Sequence, residues 1–342
     1  MATNIVINGF GRIGRAFFKL ALSRPELNIV AINDLGDLEN LAYLLRYDSV
    51  YGRYHEEVSI KEAEGTRYLV VGGHPVPFLQ EKDPAKLPWK DLGVDIAIEA
   101  TGVFTKFEQA RFHIEAGAKR VVLTAPAKDQ DTPDARTVLM GVNEEVLKTC
   151  TLSSNGSCTT NSASPLLQIL SETVGVEKAF LNTVHGYTAT QALIDGPTKG
   201  DPRKGRAAAV NIIPGSTGSA IAVGRAVESV TDKFDGLAMR VPVVVGSLSN
   251  IVFISSKPTT EDEINDILRK AANQERWGGI FRTSEEPIVS SDIIGDPYAA
   301  IADLTLTKVI DGNLCAVYSW YDNEFGYTNS LVAHVLKIAE TL

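Results

Sequence analysis

Two side chains in this sequence combine the residue types and settings that covalent chemistry needs: Cys158 and His185. Cys158 stands in the polar run Ser153-Ser154-Asn155-Gly156-Ser157-Cys158-Thr159-Thr160-Asn161, ahead of a helix-compatible stretch that begins near Pro165. A free thiol with a pKa near 8.5 is only about 3% thiolate at neutral pH. A fall of about two to three units, from a helix start and a basic or cationic neighbour, makes the anion predominate. His185 ends an apolar strand, residues 180–184, and is followed by Gly186 and a hydroxyl-rich run. The other histidines, His55, His74, His113 and His334, lack such a setting. Buried cysteines and hydrogen-bonded histidines are also ordinary core residues, so local sequence alone does not pair these two.

A second constellation is Gly9, Gly11 and Gly14, a G-x-G-x-x-G between a strand and a helix. The first glycine permits a tight turn, the second lets backbone approach a pyrophosphate, and the third lets helix and strand pack closely. The helix start then offers unpaired amides and partial positive charge to two phosphates. Asp34 ends the next strand, twenty residues after Gly14, where a carboxylate accepts both ribose hydroxyls and repels a 2′-phosphate. NAD is therefore the expected cofactor, rather than NADP. The plainer alternative is a structural turn with Asp34 capping a loop.

These residues need elements to hold them. Strands are expected at residues 4–8, 28–33, 94–100 and 120–125, with a helix from Arg12 carrying Ile13, Phe17, Leu20 and Ala21 and stopped by Pro25. Alternation of short β-branched runs and amphipathic stretches over the first ninety-odd residues indicates helices crossing between parallel strands. After Cys158 the pattern changes to longer strands, at 180–184, 236–245, 249–255 and 315–321. A helix at 260–274 opens with a capping box, Thr260 to Glu263, and another is expected at 330–342. The fold class is therefore α/β: an N-terminal Rossmann-type dinucleotide-binding domain plus an α+β catalytic domain with a largely antiparallel sheet. The expected boundaries are 1–157 and 158–322, with a C-terminal helix in 323–342 packing back onto the first domain.

Composition narrows the classes. A net charge of −9 over 342 residues argues against a nucleic-acid or acidic-membrane surface. Three cysteines, no secretion signal and no apolar run near 20 residues long point to a reducing, cytoplasmic setting with no transmembrane segment and no metal site.

Five motifs together resemble the phosphorylating glyceraldehyde-3-phosphate dehydrogenases over almost the whole chain. They are Ile7-Asn8-Gly9-Phe10-Gly11-Arg12-Ile13-Gly14-Arg15; Ser157-Cys158-Thr159-Thr160-Asn161; His185 with Thr188-Ala189-Thr190-Gln191; Arg240-Val241-Pro242; and Trp320-Tyr321-Asp322-Asn323-Glu324-Phe325-Gly326-Tyr327. The resemblance implies that Cys158 is the nucleophile and His185 its general base and thiolate partner. It implies that Thr188, Thr190 and Arg240 hold the substrate's own phosphate, and Ser157, Thr159, Thr217 and Gly218 the attacking inorganic phosphate. For the cofactor it adds Arg12, Ile13, Thr101, Gly102, Thr124 and Asn323 to the glycines and Asp34, with Asn323 near the nicotinamide amide. Leu35 and Pro197 match NAD-selective members.

The implied reaction converts glyceraldehyde 3-phosphate to 1,3-bisphosphoglycerate through a Cys158 hemithioacetal and thioester. The implied assembly is a homotetramer in which residues 187–211 reach a neighbouring subunit. The sequence departs from the family pattern at Ser162, where a second cysteine is common, at Gly156 and Gly186, and along residues 243–250; Gly186 is expected to loosen its turn. Two alternatives stay open. One is an erythrose-4-phosphate dehydrogenase, which hydrolyses its thioester, and the other is a non-catalytic NAD-responsive interaction protein.

Overall fold

The computed structural model describes residues 2–342. One compact unit contains the chain up to Val138 with Glu144–Gly156 and Leu331–Leu342; the other contains Leu139–Asn143 and Ser157–Ser330.

The first unit is built on a nine-stranded sheet in the order Ala135–Thr137, Leu152–Ser154, Arg120–Leu123, Ile96–Glu99, Thr3–Asn8, Leu27–Asn33, His74–Leu79, Thr66–Val71 and Val58–Ala63. The first seven strands run parallel. Thr3–Asn8 is flanked by Leu27–Asn33, which follows the Arg12–Leu22 helix, and by the much later Ile96–Glu99, so strand order reverses beside it. Parallel strands leave a crevice at their carboxyl ends at such a switch point. Ile5, Val6, Ile7, Ala97 and Ile98 are fully buried, as strands covered on both faces require.

The expected alternation of strand and helix fails after the Leu38–Arg46 helix. Residues 47–79 form hairpins, Tyr47–Asp48 with Gly52–Arg53, and Val58–Ala63 with Thr66–Val71 and His74–Leu79. Two turns impose the second set: Glu64-Gly65 and Gly72-Gly73 all have positive φ, the twist that closes two-residue hairpins.

The second unit carries the α+β fold with the largely antiparallel sheet. Its order is Ile213–Ser216, Phe234–Val241, Val176–Gly186, Ser247–Ser255, Leu314–Tyr321, Ala300–Asp303 and Phe281–Ser284. Only Phe234–Val241 with Val176–Gly186 and Phe281–Ser284 with Ala300–Asp303 pair in parallel along that order. The Cys158–Thr173 helix covers the sheet, its Leu166, Leu167 and Leu170 sharing a core with Leu181, Ile251, Phe253 and Val317. The strand expected to reach residue 245 stops at Val241, because Pro242 has no N–H to pair and Val243 N turns back to Val241 O at 2.7 Å.

The Glu261–Ala272 helix has half of its capping box. Thr260 accepts the Glu263 amide at 3.1 Å, whereas the Glu263 carboxylate accepts the Thr259 hydroxyl at 2.9 Å. The last helix, Phe325–Ala339, starts earlier than its apolar spacing indicates, because buried Asp322 accepts the amides of Glu324 and Phe325 at 2.9 and 2.8 Å. Among the described residues no helix is long and apolar enough to cross a membrane.

In the first unit His334 lies fully buried between Ser153 Oγ, 2.8 Å from Nε2, and Asn155 Oδ1, 3.1 Å from Nδ1. Burial pulls its pKa down from 6.5 to about 3. The unfolded chain therefore binds a proton that the folded chain refuses between those values, so stability falls as pH drops below 6.5. A His334→Gln variant should lack this share. Denaturant unfolding should show the stability difference between wild type and variant changing by about 1.4 kcal/mol per pH unit below the unfolded pKa; parallel profiles would refute the assignment.

Candidate active site

The helix that presents the candidate nucleophile begins at Cys158 itself, not near Pro165. Ser157 is its N-cap: Ser157 Oγ accepts the Thr160 amide at 3.1 Å and Thr160 Oγ1 accepts the Ser157 amide at 3.1 Å. Pro165 sits inside the helix, where it costs about 3 kcal/mol of helix stability. The buried face from Ala163 to Leu170 offsets that loss through its contacts with the sheet. The preceding Gly156 has φ +61°, a conformation that suits glycine better than any residue with a Cβ.

Sheet register delivers the partners. His185 lies opposite Arg240 on one side and Ser247 on the other. Its Nε2 is 3.3 Å from Cys158 Sγ, and its Nδ1 is 2.6 Å from both Gly186 O and Arg240 Nη1. The ring of buried Tyr321 meets the imidazole edge-on at 5.9 Å, with the Tyr321 hydroxyl held by Thr159 at 2.9 Å and Thr183 at 2.7 Å.

The thiolate-favouring environment expected for Cys158 is only partly built. Burial of the thiol pushes its pKa up, against the Arg240 charge and the Thr159 amide, which pull it down. His185 is drawn to about 3, first by burial and then by Arg240. Burial thus works against the charged form of each group taken alone.

The candidate phosphate ligands fall into two groups. Ser157 Oγ, Ser219 Oγ and Thr217 Oγ1 form a hydroxyl chain with steps of 2.9 and 2.8 Å. It lies at the starts of the Cys158–Thr173 and Ser219–Ala226 helices, the second of which has Gly218 as an N-cap without a side-chain bond. Thr159, expected in this group, is buried and sends its hydroxyl to Tyr321. In the other group Thr188 and Thr190 pair with each other at 3.0 Å, while Arg240 lies against His185 and Gly186.

Gly186 tightens its turn rather than loosening it: a Cβ there would meet Val243 O at 2.9 Å, and Tyr187 N donates to that same oxygen. The divergent segment 243–250 thus docks on the backbone beside the base. Asn323 Oδ1 accepts Gly246 N at 3.0 Å and Ser247 Oγ at 3.1 Å, which fixes the amide so that its Nδ2 is the side chain's donor.

In the first unit, a cavity of about 890 Å³ opens at the carboxyl ends of the parallel strands, lined in part by Gly9, Gly11, Asp34, Leu35 and Thr101. A Cβ on Gly9 would lie 2.5 Å from Thr101 N, and one on Gly14 2.0 Å from Gly9 O, so both glycines are required by packing. A Cβ on Gly11 would meet nothing within 4 Å, and the Arg12–Leu22 helix behind it has no side-chain cap. Open space before uncapped amides is the cradle a pyrophosphate needs, and the cavity fits a dinucleotide.

Asp34 does cap the turn, accepting Phe10 N at 2.6 Å and Gly36 N at 2.7 Å, and it also borders the cavity. Arg12, Ile13, Gly14, Gly102 and Thr124 stand outside the lining: Arg12 pairs with Asp48 at 3.3 Å, Gly102 turns with φ +70°, and Thr124 donates to Glu99 O at 3.1 Å. Pro197 is exposed in the second unit.

Several participants carry no local sequence signal. Buried Glu99 accepts from Asn8 at 2.6 Å, from His113 Nε2 at 3.0 Å and from Thr101 N at 2.9 Å, under the cavity. Trp89 Nε1 donates to His113 Nδ1 at 3.0 Å and so assigns the proton to Nε2. Ser219, Ser247 and Tyr321 likewise gain their places only from the fold.

The family described as "Glyceraldehyde 3-phosphate dehydrogenase, NAD binding domain" matches residues 3–107, and the family described as "Glyceraldehyde 3-phosphate dehydrogenase, C-terminal domain" matches residues 157–323. Curated relatives are similar end to end. A glyceraldehyde-3-phosphate dehydrogenase of Thermotoga maritima is 48% identical over 96% of each chain. One of Clostridium acetobutylicum is 45% identical over 98% of this chain and 99% of its own. One of Mycobacterium avium is 44% identical over the full length of both.

Proposed function

The chain belongs to the glyceraldehyde-3-phosphate dehydrogenase family, and on that premise we propose that Cys158 is the nucleophile of its reaction, with His185 as base. The activity is the NAD-dependent oxidation of glyceraldehyde 3-phosphate with inorganic phosphate, giving 1,3-bisphosphoglycerate. The observation that carries the residue assignment is the 3.3 Å contact between Cys158 Sγ and His185 Nε2 at the start of a capped helix.

Cys158 Sγ attacks the aldehyde carbon as its proton passes to His185 Nε2, so that the buried pair never holds a free charge before the carbonyl is engaged. The alkoxide that forms is stabilised by the Cys158 amide, unpaired at the first position of its helix, and by the imidazolium. Bound NAD supplies the hydride acceptor. Once the alkoxide has lost its hydride, the acyl group is held on Sγ as a thioester, and His185 still carries the proton taken from the thiol. A phosphate oxygen then attacks that carbonyl carbon, the C–S bond breaks, and His185 returns a proton to Sγ.

Arg240 with Thr188 and Thr190 holds the substrate phosphate, and the Ser157, Thr217 and Gly218 cluster the attacking one. Two helix starts behind that cluster favour a dianion. Thr159 acts there through its amide, since its hydroxyl is engaged by Tyr321. Gly9, Gly11, Gly14 and Asp34 hold the pyrophosphate and ribose of NAD, supported by Arg12, Ile13, Thr101, Gly102 and Thr124, and Asn323 Nδ2 donates to the carboxamide.

The working form is a homotetramer in the cytoplasm. What supports the assembly is the exposure of Leu193, Ile194, Val210 and Ile212, each at least 70% exposed, along one segment of the second unit. Sedimentation should give four times the 36.9 kDa of one chain, and a stable monomer would contradict it.

The reaction itself is tested by NADH formation from glyceraldehyde 3-phosphate. Removing inorganic phosphate should slow steady turnover by at least about a hundredfold, since thioester transfer then has no acceptor. Turnover indifferent to phosphate, or faster with erythrose 4-phosphate, would point instead to the hydrolysing enzyme.

A further inference from the structure

Three central strands of the parallel sheet end in polar side chains that the reaction does not touch. Register places Asn33, Asn8 and Glu99 side by side at the carboxyl ends of Leu27–Asn33, Thr3–Asn8 and Ile96–Glu99, and all three are buried. Their hydrogen bonds run one way. Glu81 N donates to Asn33 Oδ1 at 2.8 Å, Asn33 Nδ2 to Asn8 Oδ1 at 2.7 Å, and Asn8 Nδ2 to Glu99 Oε2 at 2.6 Å. From the other side Trp89 Nε1 donates to His113 Nδ1 at 3.0 Å, and His113 Nε2 to Glu99 Oε2 at 3.0 Å. Glu99 Oε1 accepts the Thr101 amide at 2.9 Å and also the Thr101 hydroxyl, whose oxygen accepts Val103 N at 3.1 Å.

Each of these neighbours points a donor at Glu99, an arrangement that suits a carboxylate and contradicts an amide. The direction of the whole chain follows from that one acceptor. An asparagine amide turned over would set N–H against N–H at one of its ends, and a buried donor without an acceptor is costly. Asn8, Asn33, Glu81 and Thr101 border the cavity at the strand ends, whereas Glu99, His113 and Trp89 stand behind its wall. The groups that face the cavity therefore take their orientation from a carboxylate and an imidazole that do not.

We propose that Glu99 is a positioning residue for the adenosine and pyrophosphate half of NAD: its carboxylate, steadied by His113, fixes the Asn8 and Asn33 amides and the Thr101 turn in one arrangement before the dinucleotide arrives. The proposal rests on the reading of this cavity as the cofactor site. Such preorganisation lowers the ordering cost of binding, so its loss is felt in affinity and leaves the chemical step alone. Glu99→Gln keeps the shape but sets a donor where an acceptor stood, and the reversal passes to Asn8 and on to Asn33. In the double variant Glu99→Gln/Asn8→Asp the carboxylate at position 8 accepts from the new amide and from Asn33 Nδ2. Asn8 Nδ2 lies 3.5 Å from His113 Nε2, so that carboxylate takes the imidazole donor too, and the chain is complementary again.

The test is calorimetric titration of the intact protein with ADP-ribose, which carries the adenosine and pyrophosphate without the nicotinamide, beside steady-state kinetics in NAD. Glu99→Gln should raise the ADP-ribose Kd and the KM for NAD by about tenfold, with kcat at saturating NAD within about twofold. Asn8→Asp alone sets two carboxylates together and should weaken binding as much, yet the double variant should recover to within about threefold of wild type. His113 gives a second arm that leaves the carboxylate in place. His113→Leu should weaken ADP-ribose about fivefold, and His113→Gln, whose amide donates to Glu99, should restore it. Circular dichroism checks the fold of each variant.

Unchanged ADP-ribose affinity in Glu99→Gln overturns the proposal, as do single losses that simply add in the double variant and a kcat that falls in step with affinity. If Glu99→Gln fails to fold, the His113 variants decide, and equal affinities in the two overturn it. Gly11→Val separates the failures, because it fills the open space before the Arg12–Leu22 helix. Binding lost in Gly11→Val but normal in Glu99→Gln removes the positioning role and keeps the site; binding that Gly11→Val leaves intact removes the reading of the cavity itself.

Discussion

The reciprocal bonds between Ser157 and Thr160 fix where a helix begins, and the chemistry depends on that starting point. Had the helix begun near Pro165, Cys158 would lie in a loop, without first-turn amides and without a set distance to the sheet. Because the helix begins at Cys158, the thiol stands at its first position while the side chains from Ala163 to Leu170 anchor the same helix in the core. A cap of two hydroxyls is thus converted by rigid packing into a sulfur held 3.3 Å from an imidazole.

The sheet supplies the complementary constraint. Strand register is quantised, so pairing Val176–Gly186 with Phe234–Val241 and Ser247–Ser255 sets His185 between Arg240 and Ser247 at once. From there a hydrogen-bonded line runs from Arg240 through His185 and Gly186 to Ser247 and Asn323. The glycine at 186 is part of this line, since only a missing Cβ lets Val243 O approach the backbone beside the base.

Much of this was legible in residue order, for reasons that differ by element. Gly9 and Gly14 could be read because close packing restricts each position to glycine, and Asp34 because its spacing from them puts it on a turn at the cavity's edge. The Cys158 and His185 motifs could be read only together with the other motifs of the family. Helix starts were misplaced where the cap was a side chain rather than a change of periodicity, as at Ser157 and Asp322. The hairpins at 47–79 were missed because Glu64-Gly65 and Gly72-Gly73 outweigh the crossover pattern around them. Ser219, Ser247 and Glu99 left no signal at all, and Tyr321 showed only as a member of a motif: each acts through a partner far away in the chain, which spacing cannot reveal. The direction of the Cys158 shift was also out of reach, because burial, which decides it, belongs to the folded chain.

The covalent role of Cys158 is tested most directly by mixing the protein with glyceraldehyde 3-phosphate and NAD in phosphate-free buffer, quenching in acid within the first turnover, and weighing the intact chain and its Cys158 peptide. An acyl adduct of phosphoglycerate mass confined to that peptide, and discharged by inorganic phosphate, is the predicted result. NADH formed at one equivalent per site with the Cys158 peptide unmodified would contradict it.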